Sequence, residues 1–174
     1  MRKYEEAYYE KMINELGMFK NKRHGKGEEV EEEVKVEHKK IIRIPFQTRI
    51  HAAAPELKAH FNELKSDILA YGVKSRISNS GDTFRLHTKT YVKITIAGKA
   101  LKLYFALDPK DYADSKMPLA DVSHKGIYKE IPLVFKVKSE LSLRRAKQLI
   151  ADAMAKDGLV QGEVEAHDWV KEIK

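Results

Sequence analysis

Apolar and polar side chains alternate along residues 83–108, the most regular stretch of the chain. The apolar positions are Phe84, Leu86, Val92, Ile94, Ile96, Leu101, Leu103, Phe105 and Leu107. Alternation with many β-branched and aromatic residues is typical of strands that bury one face. Between the two runs, Ala97-Gly98-Lys99 predicts a short turn, because glycine tolerates the positive φ that hairpins need. We therefore expect a central hairpin around which the fold is built.

Two other stretches have the spacing of amphipathic helices. Residues 55–71 begin at Pro55, carry apolar side chains three and four residues apart, and stop at Gly72. Residues 140–157 follow Ser139, a good N-cap, and end before Gly158. Because each helix has one apolar stripe, we expect both to pack on the apolar face of the sheet.

Shorter alternating stretches predict the remaining strands, at residues 41–51, 73–78 and 131–138. Pro45 cannot donate to a strand ladder, so the first of these should lie at a sheet edge. The resulting fold is α+β, with one antiparallel sheet of about five strands and two helices on one face. The other face is left to solvent or to a partner. The expected core residues are Leu57, Phe61, Leu64, Phe84, Ile94, Leu103, Phe105, Phe135, Leu149 and Ile150.

Four segments follow one another along the chain: an amphipathic helix (1–20), a charged linker (21–40), the α+β domain (41–160) and an acidic tail (161–174). The first helix is expected to pack on its own domain or on a second copy, and the latter would give self-association. The alternative is a helix that binds lipid or a target protein. The linker carries charge without apolar anchors, although its acids could instead fold back on the basic domain. The tail is expected to be loosely attached.

Composition and charge limit the function classes. There is no cysteine, which excludes disulfides and thiolate metal sites. No apolar run reaches the roughly 18 residues of a transmembrane helix, and we expect a cytoplasmic protein. The net charge is +7, but residues 41–160 alone sum to +9, while residues 1–40 sum to zero. This imbalance favours acidic partners, such as nucleic acid, an anionic membrane or an acidic protein.

Four segments resemble an uncharacterised bacterial domain that occurs as a C-terminal module. They are VKSRIS, GKALKLYFALDPKDY, LADVSHKGIYKEIPLVFKVKS and RRAKQLIADAMAKDGL, within residues 42–160. The resemblance implies a compact α+β module and brings no established activity and no catalytic residues. The chain departs from the family pattern at Asn79, where an aromatic residue is usual, and around Leu86-His87, where a Gly-Arg pair is usual.

Catalytic patterns are largely missing from the sequence. Gly98-Lys99 lacks the spacing and the following Ser or Thr of a phosphate-binding loop, and the seven histidines have no metal-ligand spacing. Asp108, Asp111 and Asp121 are the best carboxylates for a metal-dependent hydrolase, the rival enzymatic hypothesis. We expect a non-catalytic binding module without a cofactor.

The polar face of the predicted strands carries the main functional hypothesis. Its candidate residues are Arg85, His87, Lys89, Tyr91, Lys93, Lys102, Tyr104, Lys136 and Lys138. Lysine and arginine contact phosphates, and exposed tyrosines stack on unpaired bases, so the face is predicted to bind nucleic acid or another acidic polymer. One alternative is a surface for a protein partner. Another is the ordinary wet face of an antiparallel sheet, with lysines that deter edge aggregation.

Overall fold

Residues 42–174 are described by the computed structural model, and they form a six-stranded antiparallel sheet with helices. The helices are α1 (Phe46–His51), α2 (Pro55–Leu69), α3 (Glu140–Ala155) and α4 (Trp169–Glu172). The strands are β1 (Lys74–Ser78), β2 (Gly81–Leu86), β3 (Lys89–Ala97), β4 (Ala100–Phe105), β5 (Ala120–Asp121) and β6 (Leu133–Val137). Short 3-10 turns cover Pro109–Tyr112 and Gly126–Tyr128. The predicted helix at 1–20 and linker at 21–40 lie outside the described residues.

The sheet has the strand order β1-β2-β3-β4-β6-β5, and each neighbouring pair is antiparallel. The α+β prediction is therefore confirmed. The predicted turn between β3 and β4 is also present, with Ala97 opposite Ala100 and Gly98 at a φ of 63°. All ten predicted core residues are buried, within one cluster formed by α2, α3 and one sheet face. None of the helices in residues 42–174 has the length and apolar character of a membrane span.

The strand predicted at residues 41–51 is wrong, because the chain forms helix α1 there. Phe46 and Ile50 stand four residues apart, which places both on one side of a helix, and both are buried. The alternating residues Ile42 and Ile44 are exposed instead. On the same helix, Arg49 donates a hydrogen bond from its guanidinium to the Ile96 carbonyl oxygen at 2.8 Å.

The long strand predicted before Gly98 is divided into β2 and β3 by a two-residue turn at His87-Thr88. His87 has a φ of 53°, the left-handed conformation that a tight hairpin needs and that non-glycine residues seldom adopt. The Asn79-Ser80-Gly81-Asp82 cluster, whose composition predicts a turn, forms only a short turn between β1 and β2. Strand β2 already begins at Gly81, and Asp82 is fully buried within it.

The acidic tail packs against the domain rather than being loosely attached. Val170 and Ile173 are both only 5% exposed and belong to the main core. The indole N–H of Trp169 donates to the Ser66 hydroxyl at 2.9 Å, and the Gly162 N–H donates to the Ala70 carbonyl oxygen at 2.8 Å. The burial of Val170 and Ile173 and the hydrogen bond from Trp169 to Ser66 hold this segment against the C-terminal half of α2.

A buried ion pair joins α2 to the sheet. Lys65 donates to the Asp82 carboxylate at 2.8 Å and to the Ser75 hydroxyl at 2.9 Å, and Ser75 donates to the other Asp82 oxygen at 2.6 Å. The side chains of Lys65 and Asp82 are 6% and 0% exposed. The Lys65 ammonium also lies 5.5 Å from the Trp169 ring centre. Each buried charge therefore has a charged partner and further polar contact.

We predict that Lys65→Met strongly destabilises the protein, because it leaves the Asp82 carboxylate buried without its cation. Removing one partner of a buried pair costs about 3–5 kcal/mol. Lys171→Met, which breaks an exposed pair with Asp168, should cost less than about 1 kcal/mol. Urea unfolding of both variants measures the difference, and equal costs would show that the buried pair is dispensable.

Candidate nucleic-acid interface

The sheet face opposite α2 and α3, here called the outer face, carries charge of one sign. Strand pairing places on it Lys74, Arg76, Thr83, Arg85, Thr90, Lys93, Thr95, Lys102, Tyr104, Val134 and Lys136. The strands β1–β4 and β6 hold seven Lys and Arg residues and a single acid, Asp82. Lys89 pairs with Asp157, and Asp82 is buried on the core face with Lys65. Six cations and no strand carboxylate therefore remain on the outer face.

Two pairs of like charges stand directly opposite each other on this face. Lys74 is opposite Arg85 in β1–β2, and Lys102 is opposite Lys136 in β4–β6. Like charges in this position destabilise a sheet. None of the six cations forms an ion pair with a carboxylate in residues 42–174. The repulsion is thus not relieved within the described part of the chain.

Tyr91 does not lie on the outer face, contrary to the sequence prediction. Phe84 pairs with Val92 but Arg85 pairs with Thr90, so Tyr91 is the extra residue of a β-bulge. The bulge turns its ring into the core, where it is 4% exposed, and its hydroxyl donates to the Asp157 carboxylate at 2.5 Å. That hydrogen bond, together with burial, raises the pKa of Tyr91 to about 12. Tyr91 cannot stack on a base.

Three other predicted residues are not among the outer-face residues of the strands. Lys89 contacts the Asp157 carboxylate at 2.5 Å and lies 5.0 Å from the centre of the Tyr91 ring. His87 is exposed in the β2–β3 turn. Lys138 lies just beyond β6, where its backbone N–H donates to the Ser142 hydroxyl at 2.8 Å. Of the nine predicted residues, five therefore share the outer face: Arg85, Lys93, Lys102, Tyr104 and Lys136.

Tyr104 lies on the outer face but is covered by the loop that connects β5 to β6. The Tyr128 ring stacks on it with centres 4.3 Å apart and planes 14° apart. Tyr104 is 5% exposed, and burial is the main cause that raises the pKa of Tyr128. Val122, Ile131 and Val134 complete this second small apolar cluster. The loop thereby removes the other tyrosine that was predicted to stack on bases.

The covering loop leaves a groove of about 440 Å³ beside β2 and β3, here called the basic groove. Its lining residues are Thr83, Arg85, Thr90, Lys93, Gly126, Ile127, Lys129, Glu130 and Ile131. Three cations face one acid there, and Ile127 is 82% exposed. The sequence does not predict that Lys129 and Ile127 lie beside the sheet, because residues 109–130 show no regular periodicity.

The three carboxylates of the hydrolase hypothesis each make a separate local contact. Asp108 accepts the Lys110 backbone N–H at 3.0 Å, Asp111 contacts the Lys156 ammonium at 3.2 Å, and Asp121 accepts the Ser123 backbone N–H at 2.8 Å. No group of three or more potential metal ligands occurs in the part of the chain that the structure describes.

Comparisons with known protein families, curated proteins and solved structures give no match.

The contact of Asp157 with Lys89 and Tyr91 makes a testable contribution to stability. Hydrogen bonds from Lys89 and Tyr91 hold the pKa of Asp157 below its usual value of 3.8. A lowered pKa in the folded state stabilises the protein above the unfolded pKa, and this stability is lost as pH falls through the folded pKa. We therefore expect Asp157→Asn to be less stable than the natural chain at neutral pH, with the difference shrinking below about pH 4.

Urea unfolding at a series of pH values measures this effect. Asp114→Asn is the matched control, because Asp114 is exposed and makes no ion pair with another residue of the described range. An Asp157→Asn deficit that stays constant down to about pH 2 would contradict the pKa shift.

Proposed function

We propose that the chain is a non-catalytic module that binds nucleic acid through the outer face of its sheet. The observation that supports this most directly is the set of six cations with no carboxylate partner in residues 42–174. Phosphate groups are the ligands that such a face fits, and contacts to phosphates bind without reading the base sequence.

The basic groove is the centre of the proposed interface. Arg85, Lys93 and Lys129 reach it from strands and loop, so a phosphate backbone along the groove meets three cations. The rings of Tyr91 and Tyr104 are buried and offer no surface for base stacking. We therefore expect a duplex to bind at least as well as a single strand, because its phosphates are more closely spaced.

The like-charge pairs favour a binding function over an ordinary solvated face. Lysines on an edge strand deter aggregation, which is sufficient to explain Lys74 and Arg76 on β1. It does not explain Lys102, because β4 lies in the interior of the sheet between β3 and β6. A polyanion relieves this repulsion when it binds, which gives the arrangement a function.

An acidic protein is the second candidate for the same face. Ile127 favours it, since a large apolar side chain that is 82% exposed beside the basic groove suits a protein interface. The two candidates differ in their dependence on salt and on the exposed isoleucine. Ile127→Ser should leave binding to phosphates unchanged and weaken binding to a protein.

We predict that the full chain binds a short duplex DNA with an affinity that falls steeply as salt rises. The log–log slope should be roughly −0.9 for each phosphate contacted. Arg85→Glu with Lys93→Glu should lower both the affinity and the magnitude of this slope. The control is Lys58→Glu with Arg144→Glu, which makes the same change in net charge on helices α2 and α3.

Fluorescence anisotropy at two or more salt concentrations measures both quantities, with duplex and single-stranded DNA and RNA as ligands. Equal losses in the two double variants would show attraction to net charge alone, without an interface on the outer face. The absence of binding at low salt would refute the proposed function.

We also predict that single charge reversals separate stability from binding. Lys136→Glu places an acid opposite Lys102, and Lys74→Glu places one opposite Arg85. Each should raise the free energy of unfolding, by about 0.2–1 kcal/mol, because it replaces a repulsive cross-strand pair with an attractive one. Each should also weaken DNA binding. Urea unfolding and the DNA titration test the two effects, and a variant that is less stable, or that binds as the natural chain does, would contradict the prediction.

A further inference from the structure

The outer edge of β6 is paired over only part of its length. Strand β5 has two residues, Ala120 and Asp121, and they pair with Val134 and Leu133 of β6. The next ladder contact beyond them is the Val122 N–H, which donates to the Pro132 carbonyl oxygen at 2.9 Å. Val134 is therefore the last residue of β6 that pairs with β5, while β6 itself continues to Val137.

The hydrogen-bond pattern shows which backbone groups this leaves exposed at the edge. In an antiparallel ladder, alternate residues direct their N–H and C=O to the same neighbour. Because Pro132 bonds to β5, the even-numbered residues of β6 face away from β4. Lys136 is the next such residue, and it lies beyond the last β6 residue that pairs with β5. Among the backbone hydrogen bonds outside the regular ladders of residues 42–174, none reaches its N–H or C=O.

The end of β5 has a local cause in Pro118. Extending the β5–β6 register by two residues would place Pro118 opposite Lys136, and proline has no N–H to donate. The neighbouring Leu119 N–H is turned aside and donates to the Met117 carbonyl oxygen at 2.8 Å. The chain's own strand therefore stops at the point where the edge of β6 remains open.

A groove of about 490 Å³ lies between this open edge and the start of α3, here called the edge groove. Its lining residues are Pro118, Ala120, Val134, Phe135, Lys136, Lys138, Ser139, Leu141, Ser142 and Arg145. Leu141 is 59% exposed although it is a large apolar residue. The lining includes three cations and no acid. An extended backbone, an apolar side chain and acidic side chains would each find a complementary group there.

We propose that the edge groove binds an extended acidic peptide of a partner protein, which adds as a strand beside β6. Its backbone pairs with the N–H and C=O of Lys136, as in other cases of strand addition to an open sheet edge. An apolar side chain of the peptide packs against Leu141, and its carboxylates lie near Lys138 and Arg145. This function differs from nucleic-acid binding, because it uses the backbone edge of β6 and α3 rather than the basic groove. Lys136 is the one residue that belongs to both surfaces.

The backbone contacts are tested with a fluorescent peptide of alternating glutamate and valine, titrated against the full chain at physiological salt. Two N-methylated forms of the peptide are compared, each blocking one of the two alternate sets of amides. Only one set faces the sheet edge in an added strand, so one form should lose at least about tenfold in affinity and the other should bind nearly as the parent does. Equal affinities of the two forms would overturn strand addition.

The position of the site is tested with two adjacent arginines of α3. Arg145 lines the edge groove and Arg144 does not, so Arg145→Glu should weaken peptide binding by about tenfold while Arg144→Glu changes it by less than about twofold. Leu141→Asp should also weaken binding without loss of stability, since an acid in the first turn of a helix is favourable.

The same variants distinguish this proposal from the function proposed above. Arg145→Glu should leave duplex DNA binding almost unchanged, and Arg85→Glu with Lys93→Glu should leave peptide binding almost unchanged at a salt concentration that screens distant charges. Equal loss of peptide binding in Arg144→Glu and Arg145→Glu would overturn the proposal even if the outer face binds DNA.

Discussion

The buried pair of Lys65 and Asp82 determines how the helices and the sheet fit together. Both charges lose their water on folding, and their mutual contact, the Ser75 hydroxyl and the Trp169 ring beside the Lys65 ammonium compensate them. A shift of β2 by one residue would move Asp82 to the outer face and leave Lys65 buried alone. At the start of the same strand, a side chain on Gly81 would place its Cβ 2.3 Å from the Ile94 carbonyl oxygen. These two constraints fix the register of β2 and therefore the direction in which the cations of the neighbouring strands point.

The features that could be predicted from the sequence are those that depend on local periodicity. Helices α2 and α3 and the turn at Gly98 follow from the spacing of apolar residues and from glycine. The turn at His87-Thr88 and the bulge at Tyr91 could not be predicted this way, because each is defined by the pairing of two strands. The bulge reverses the facing of Tyr91 without changing the alternation of the residues after it. The burial of Asp82 could not be predicted either, because its partner, Lys65, is seventeen residues earlier on a helix.

In the candidate site, the positions of the cations could be predicted from the sequence, and the burial of the tyrosines could not. The placement of Arg85, Lys93, Lys102 and Lys136 on one face follows from alternation alone. The exposure of Tyr104 depends on residues 122–131, whose few apolar side chains have no regular spacing and yet cover it through Tyr128. Because both tyrosines are buried, the chemistry available on this face changes from base stacking to phosphate contact. Nucleic acid is still the proposed ligand, but it is recognised through its phosphates rather than by stacking of its bases.

Charge on the outer face and open backbone at the edge of β6 both lower the stability of the isolated fold. Opposed cations repel each other, and an open strand edge is prone to pairing with other chains. The apolar core formed by α2, α3 and the inner face supplies the stability that makes these features tolerable. Lys136 belongs to both, since its side chain lies on the outer face and its backbone lies at the edge. A strand that pairs with this backbone would place one of its own side chains beside the Lys136 ammonium group, so the two surfaces meet at this residue.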